Sequence, residues 1–189
     1  MFRRFPIVAC VSLAAAVWPV RAQISPVKAP PIGQVQNGVY HHNRTGIEFA
    51  VPADWVLVSQ GFATGGAQTV FLRDSASNVV ALAWMKARPM DPANIPALME
   101  RRLDTRLAQR NNFEGYKYRP DSLQRTTIGG KPALSVAADY TSAGQAMVEC
   151  ITWVDGETSR VAFTARMPAA AYPAFASRFD AIIQSAIVP

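Results

Sequence analysis

Cysteine and histidine are scarce in this chain: 189 residues carry two of each, and only 17% of positions are charged. So few ligating side chains exclude a disulfide framework and a multi-cysteine zinc module. Long hydrophobic runs are short as well. The longest, Phe5 to Val20, spans 16 residues with Pro6 and Pro19 near its ends, whereas a membrane-crossing helix needs about 20 apolar residues. No Gly-x-Ser-x-Gly elbow, P-loop or dinucleotide fingerprint occurs. Internal repeats and long low-complexity tracts are missing too.

What is present begins with a leader. Met1-Phe-Arg-Arg4 is basic, the apolar run follows, and Val20-Arg21-Ala22 offers small or aliphatic residues to a signal peptidase. This is the form of a secretory signal, with cleavage expected after Ala22. Cys10 has a lipobox-like setting in Ile7-Val-Ala-Cys10, but apolar residues continue past it where a lipidated protein would carry a polar tether. Cleavage leaves 16 Lys+Arg against 13 Asp+Glu, which lowers the formal charge from +6 to +3. The arginines are scattered apart from Arg101, Arg102, Arg106 and Arg110, and no aromatic-basic interleaving suggests a nucleic-acid platform. Cys150 then stands alone, so core burial must supply stability, as about 150 residues in one domain can do. The chain is expected to work in the periplasm or outside the cell.

Three segments follow: 1–22 as signal, the proline-rich 23–38 as flexible linker, and 39–189 as one domain. Within the domain, Ile47–Val51 and Trp55–Ser59 read as strands joined at Pro52-Ala-Asp54. Gln68–Arg73 and Asn78–Lys86 follow the Gly61–Gly66 loop. Val79–Met85 is apolar at both parities, the pattern of an interior strand covered twice. Asp91-Pro92 opens a helix to about Gln109, with Ile95, Leu98, Met99, Leu103 and Leu107 as its apolar stripe. Strands Ser122–Ile128, Pro132–Thr141, Gln145–Val154 and Ser159–Met167 form a meander. A last helix after Pro168 carries Tyr172, Phe175, Phe179, Ile182 and Ile183 on one side.

Register follows from the loops. A three-residue Ser142-Ala143-Gly144 connection sets Thr141 opposite Gln145, and a four-residue Asp155–Thr158 loop sets Val154 opposite Ser159. Leu134, Val136, Ala138, Tyr140, Val148, Cys150, Thr152, Val161, Phe163 and Ala165 then share an apolar face. The other face is mixed and holds Ser135, Asp139, Met147, Glu149, Ile151, Trp153, Arg160, Thr164 and Arg166.

The stretch Gly46-Ile-Glu-Phe-Ala-Val-Pro-Ala-Asp-Trp55, the order of elements and the closing Phe179-Asp-Ala-Ile-Ile-Gln-Ser185 resemble the PsbP-like superfamily. That group holds extrinsic photosynthetic proteins, a Ran-binding import factor and small exported bacterial proteins. The resemblance implies an α+β fold, an antiparallel sheet of about six to seven strands sandwiched between helices. It implies binding or assembly in place of catalysis, and it transfers no site residues.

The candidate chemistry is thin. His41 and His42 point to opposite sides of a strand and fall short of a metal ligand set. Cys150 reads as an inert buried thiol. Asp139 and Glu149 resemble an acid pair, but Arg160 and Arg166 offer them cross-strand partners. The candidate ligand or partner surface is therefore Asp139, Glu149, Trp153, Arg160 and Arg166, with Trp153 beside Arg160 as its sharpest element. No cofactor and no metal are expected. The reading is an exported non-catalytic protein docking a protein or small ligand. A carrier with a pocket between sheet and helix, or an enzyme using Asp139/Glu149 or His41/His42, are the alternatives.

Overall fold

A computed structural model describes residues 32–62, 68–75, 79–86 and 92–189, with 79–86 described by its backbone. The strands divide between two antiparallel sheets. β1 (Gly33–Gln36), β2 (Val39–His42) and β3 (Glu48–Ala50) form a three-stranded sheet in that order. β4 (Val56–Phe62), β5 (Gln68–Arg73), β6 (Val79–Lys86), β7 (Glu114–Tyr118), β8 (Gln124–Ile128), β9 (Lys131–Ser142), β10 (Gln145–Asp155) and β11 (Ser159–Pro168) form the second. Its order is β4-β5-β6-β11-β10-β9-β7, with β8 also pairing β9. Gly33–Gln36, within the stretch read as flexible linker, is thus a strand ahead of the expected domain start, paired with β2, the strand that carries His41 and His42.

The chain changes sheets at Pro52-Ala-Asp54. Proline cannot donate to a ladder, β3 ends, and a turn closed by Trp55 N–H to Pro52 O at 2.9 Å delivers the chain to β4. Trp55 is 4% exposed and its ring lies 5.8 Å from that of Phe175. The tryptophan seals a corner of the core. β6 is interior in backbone terms, hydrogen-bonded to β5 on one flank and β11 on the other. The burial expected for Val79–Met85 side chains, and the expectation for the Gly61–Gly66 loop beyond Phe62, lie outside the described residues.

Two helices cover opposite faces of the large sheet. α2 (Tyr172–Gln184) buries Phe175, Phe179, Ile182 and Ile183, as its stripe predicts. These meet Val148, Cys150, Val154, Val161, Phe163, Ala165 and Met167 in the main core, which also takes in Tyr40 and Phe49 from the small sheet. α1 (Ile95–Gln109) behaves differently. Of its five stripe residues only Met99 is buried, and Leu107 is 45% exposed. The expected apolar docking of α1 is corrected: the sheet face beneath it presents carboxylates, and arginines make the contact.

Both hairpin registers differ from expectation. Gln145 pairs Ser142 and Ala146 pairs Thr141, so the β9–β10 connection is the two-residue turn Ala143-Gly144. Both residues adopt positive φ, 49° and 76°, the primed-turn geometry that matches strand twist. This one-residue slip moves Ser135 and Asp139 to the face of Val148 and Cys150, and places Leu134, Val136, Ala138 and Tyr140 with Glu149 and Trp153. Ser135 and Thr152 confirm it, their hydroxyls 2.8 Å apart as cross-strand partners. The β10–β11 hairpin pairs Val154 with Val161 instead of Ser159. That two-residue shift leaves the faces of β11 as expected.

Candidate functional site

The α1 face is built around one buried carboxylate. Glu149, on β10, is fully buried. Arg166 is its cross-strand partner on β11 and donates from Nε to Oε1 at 2.7 Å. From α1, Arg106 donates at 2.7 and 3.2 Å. Arg110, just past the end of α1, contributes contacts of 3.1 to 3.5 Å. The Tyr116 hydroxyl of β7 donates to Oε2 at 2.7 Å. Burial alone would raise the pKa of this carboxyl, but Arg106, Tyr116 and Arg166 together outweigh it and hold it at about 2. Phe113 stacks on Tyr140 at 4.8 Å and carries the guanidinium groups of Arg110 and Arg166 at 5.0 and 5.4 Å from its ring centre.

Further along β10 the pattern repeats. Asp155, 7% exposed, accepts a two-pronged bond from Arg102 at 2.6 Å for each oxygen. Because residues 102, 106 and 110 recur every four positions, they line one side of the helix and its extension. They meet Asp155 first and Glu149 later, so helix and strand run in opposite senses here. Long guanidinium side chains hold α1 off the sheet, and a hollow of about 330 Å3 remains between them. Trp153, Arg160 and Ala162 floor it, while Leu98, Arg101 and Thr105 are on its helix wall. Arg160 Nε is buried without a hydrogen-bond partner and approaches Asp155 Oδ1 only to 3.5 Å.

Asp139 is elsewhere. Val148 is its partner across the strands, so it lies on the face opposite Glu149. The expected grouping of the five candidate residues is corrected: Glu149, Trp153, Arg160 and Arg166 share a face and Asp139 does not. One substrate cannot meet both carboxylates. Asp139 instead receives Arg119 at 2.7 to 3.1 Å, and that guanidinium sits 4.5 Å over the Tyr172 ring. They border a second, wider hollow of about 840 Å3 between β9, the Pro120–Ser122 turn and α2. Cys150 lines it, but burial pushes the thiol up to about 12, a form with almost no thiolate at neutral pH.

His41 and His42 do not act together. His41 Nδ1 lies 3.0 Å from Glu48, while the buried His42 bonds Gln68 at 2.6 Å and burial lowers its pKa. Among the described residues no group of three or more His, Cys, Asp or Glu is placed to hold a metal. Sequence reasoning noted Arg102 and Arg106 only as part of the arginine cluster on α1 and gave them no role at the sheet. Their four-residue spacing was the available signal.

No protein-family model matches the chain, and no curated protein does. Solved structures do. Cyanobacterial PsbP (CyanoP) from Synechocystis sp. PCC 6803 superposes with a TM-score of 0.60 at 14% identity, over 85% of this chain and 99% of that one. The fold is PsbP-like. LpqN, described as involved in cell envelope biogenesis of Mycobacterium tuberculosis, matches with a TM-score of 0.52 at 16% identity, over 76% of this chain and 83% of its own. The PsbP-like assignment thus rests on shape, an antiparallel α+β arrangement with a helix on each side. Identities this low carry no residue across. In this PsbP-like chain, no helix among the described residues is long and apolar enough to cross a membrane.

Proposed function

We propose that this chain is an exported, non-catalytic binding protein of the cell envelope, released from its signal after Ala22 and consisting of one working domain. Its binding surface is the hollow between α1 and the sheet. The observation that carries the reading is the convergence of Trp153 and Arg160 on the floor of that hollow. A volume of about 330 Å3 falls in the range of small-ligand sites, roughly 300 to 1,000 Å3. The nearby acids speak for binding over catalysis. Glu149 is tied to three arginines and a tyrosine, which leaves it no proton to transfer near neutral pH. Cys150 lies on the other face, with a thiol too weakly acidic to attack. The envelope role described for LpqN favours the same compartment.

The test has two parts. The chain expressed with its own leader should be recovered from the periplasmic fraction with Gln23 as its first residue; retention of Met1 in the cytoplasm refutes export. The purified protein should show no turnover of ester, phosphoester or glycoside substrates. A rate above background that D139N abolishes, or that E149Q abolishes while near-UV circular dichroism shows it folded, would show an enzyme. The wider hollow beside α2 supports a second reading, a carrier, on its volume of about 840 Å3.

A further inference from the structure

The α1 hollow carries more positive charge than its carboxylates neutralise. Arg101, Arg102, Arg106 and Arg160 line it, and no acidic residue does. The two carboxylates within reach of its arginines are both committed. Asp155 is gripped by both prongs of Arg102, and Glu149 is shared among Arg106, Arg110 and Arg166. Glu100, on the same helix, is drawn outward to Arg125 at 3.2 Å, and Asp104 is exposed. Six guanidinium groups therefore surround two buried acids.

Two of the six are under-used. Arg101 has no ion-pair or hydrogen-bond partner among the described residues and stands exposed at the rim. The Arg160 side chain makes no hydrogen bond among the described residues, its buried Nε reaching Asp155 only as a 3.5 Å ion pair, while 31% of it stays exposed and lines the hollow. Its guanidinium is what a complementary acceptor in the hollow would engage. The indole of Trp153, half-buried beside it, gives a flat apolar wall.

We infer that the hollow binds a small organic oxyanion with a flat or apolar body. Its sulfonate, phosphate or carboxylate head lies between Arg160 and Arg101, and its body lies against Trp153 and Leu98. Guanidinium groups suit this task because their planar forks match oxyanions and lose little hydration on burial. The inference rests on the binding reading above and adds the charge class of the ligand.

The test uses the leader-processed full-length protein and two dyes of similar shape, anionic 8-anilinonaphthalene-1-sulfonate and neutral N-phenyl-1-naphthylamine. The anionic dye should bind at least roughly tenfold more tightly, and R101Q or R160Q should each weaken it by roughly tenfold, the scale of one charge-assisted hydrogen bond. W153A should weaken both dyes. Phenyl phosphate should displace the bound anionic dye. Near-UV circular dichroism checks folding, and R101Q, at an exposed rim position, keeps the test valid should R160Q fail to fold. Equal binding of the two dyes with sensitivity to W153A overturns the charge assignment and leaves the site intact. Insensitivity of both dyes to W153A and R101Q overturns site and charge together. Cosedimentation with phosphatidylglycerol vesicles, with no displacement by phenyl phosphate, overturns the small-ligand assignment in favour of a membrane surface.

Discussion

Replacing Glu149 by glutamine removes the one negative charge that holds Arg106, Arg110 and Arg166 together. The carboxyl moves from an ordinary value of 4.5 to about 2 on folding. At about 1.4 kcal/mol per unit, a shift of that size contributes on the order of 3 kcal/mol at neutral pH. Breaking a buried ion pair from one side costs about 3–5 kcal/mol, because the remaining charge stays desolvated. The two routes agree, so E149Q should destabilise by roughly 3–5 kcal/mol. With a urea m-value of about 1–3 kcal/mol/M, its midpoint should fall by roughly 1–5 M. The pH dependence has a definite sign. The folded pKa lies below the unfolded one, so the contribution is complete above about 4.5 and disappears as pH falls toward about 2. Urea titrations of wild type and E149Q across that interval should therefore converge at the acid end. A gap below about 1 kcal/mol at pH 7, or one that does not shrink on acidification, refutes the reasoning.

Other perturbations test separate links. A143N should stabilise by about 0.5–1 kcal/mol, because asparagine tolerates the left-handed backbone that alanine adopts there at a cost; a lowered melting temperature would speak against the primed turn. W55A should cost about 3–5 kcal/mol by emptying the corner beside Phe175, measured by thermal unfolding. Native Cys150 should react with iodoacetamide roughly a thousandfold more slowly than in urea, given a thiol pushed up to about 12 from 9.0. Equal rates in both states would place that thiol in water.

The opening corner and α2 were legible because each signal had one meaning. Proline before Trp55 can only end a ladder, and Phe175, Phe179, Ile182 and Ile183 repeat at helical spacing against an apolar sheet. The β9 register was not legible. Leu134, Val136 and Ala138 are buried on one face and Ala133 and Ala137 on the other, so apolar burial does not choose the register, and the Ser135 and Asp139 that the slip carries across find Thr152 and Arg119 as partners. The turn that decides it uses a left-handed alanine, which the rules disfavour. β7, Glu-Gly-Tyr-Lys-Tyr, is too polar and too broken by glycine to read as a strand. Glu149, Trp153, Arg160 and Arg166 share one face as expected, because even spacing along β10 and β11 keeps them together. Their partners on α1 were missed because a helix face rich in arginine normally looks to solvent.

The two helices grip one sheet by opposite physics, and dissolved ions act on each differently. Mobile counterions screen the exposed Arg101 at the rim of α1 but hardly reach the pairs with buried Glu149 and Asp155, while strongly hydrated anions such as sulfate reinforce the greasy seam under α2. Salt therefore tunes how the rim of one lid meets a charged visitor without loosening that lid, and sulfate tightens the other.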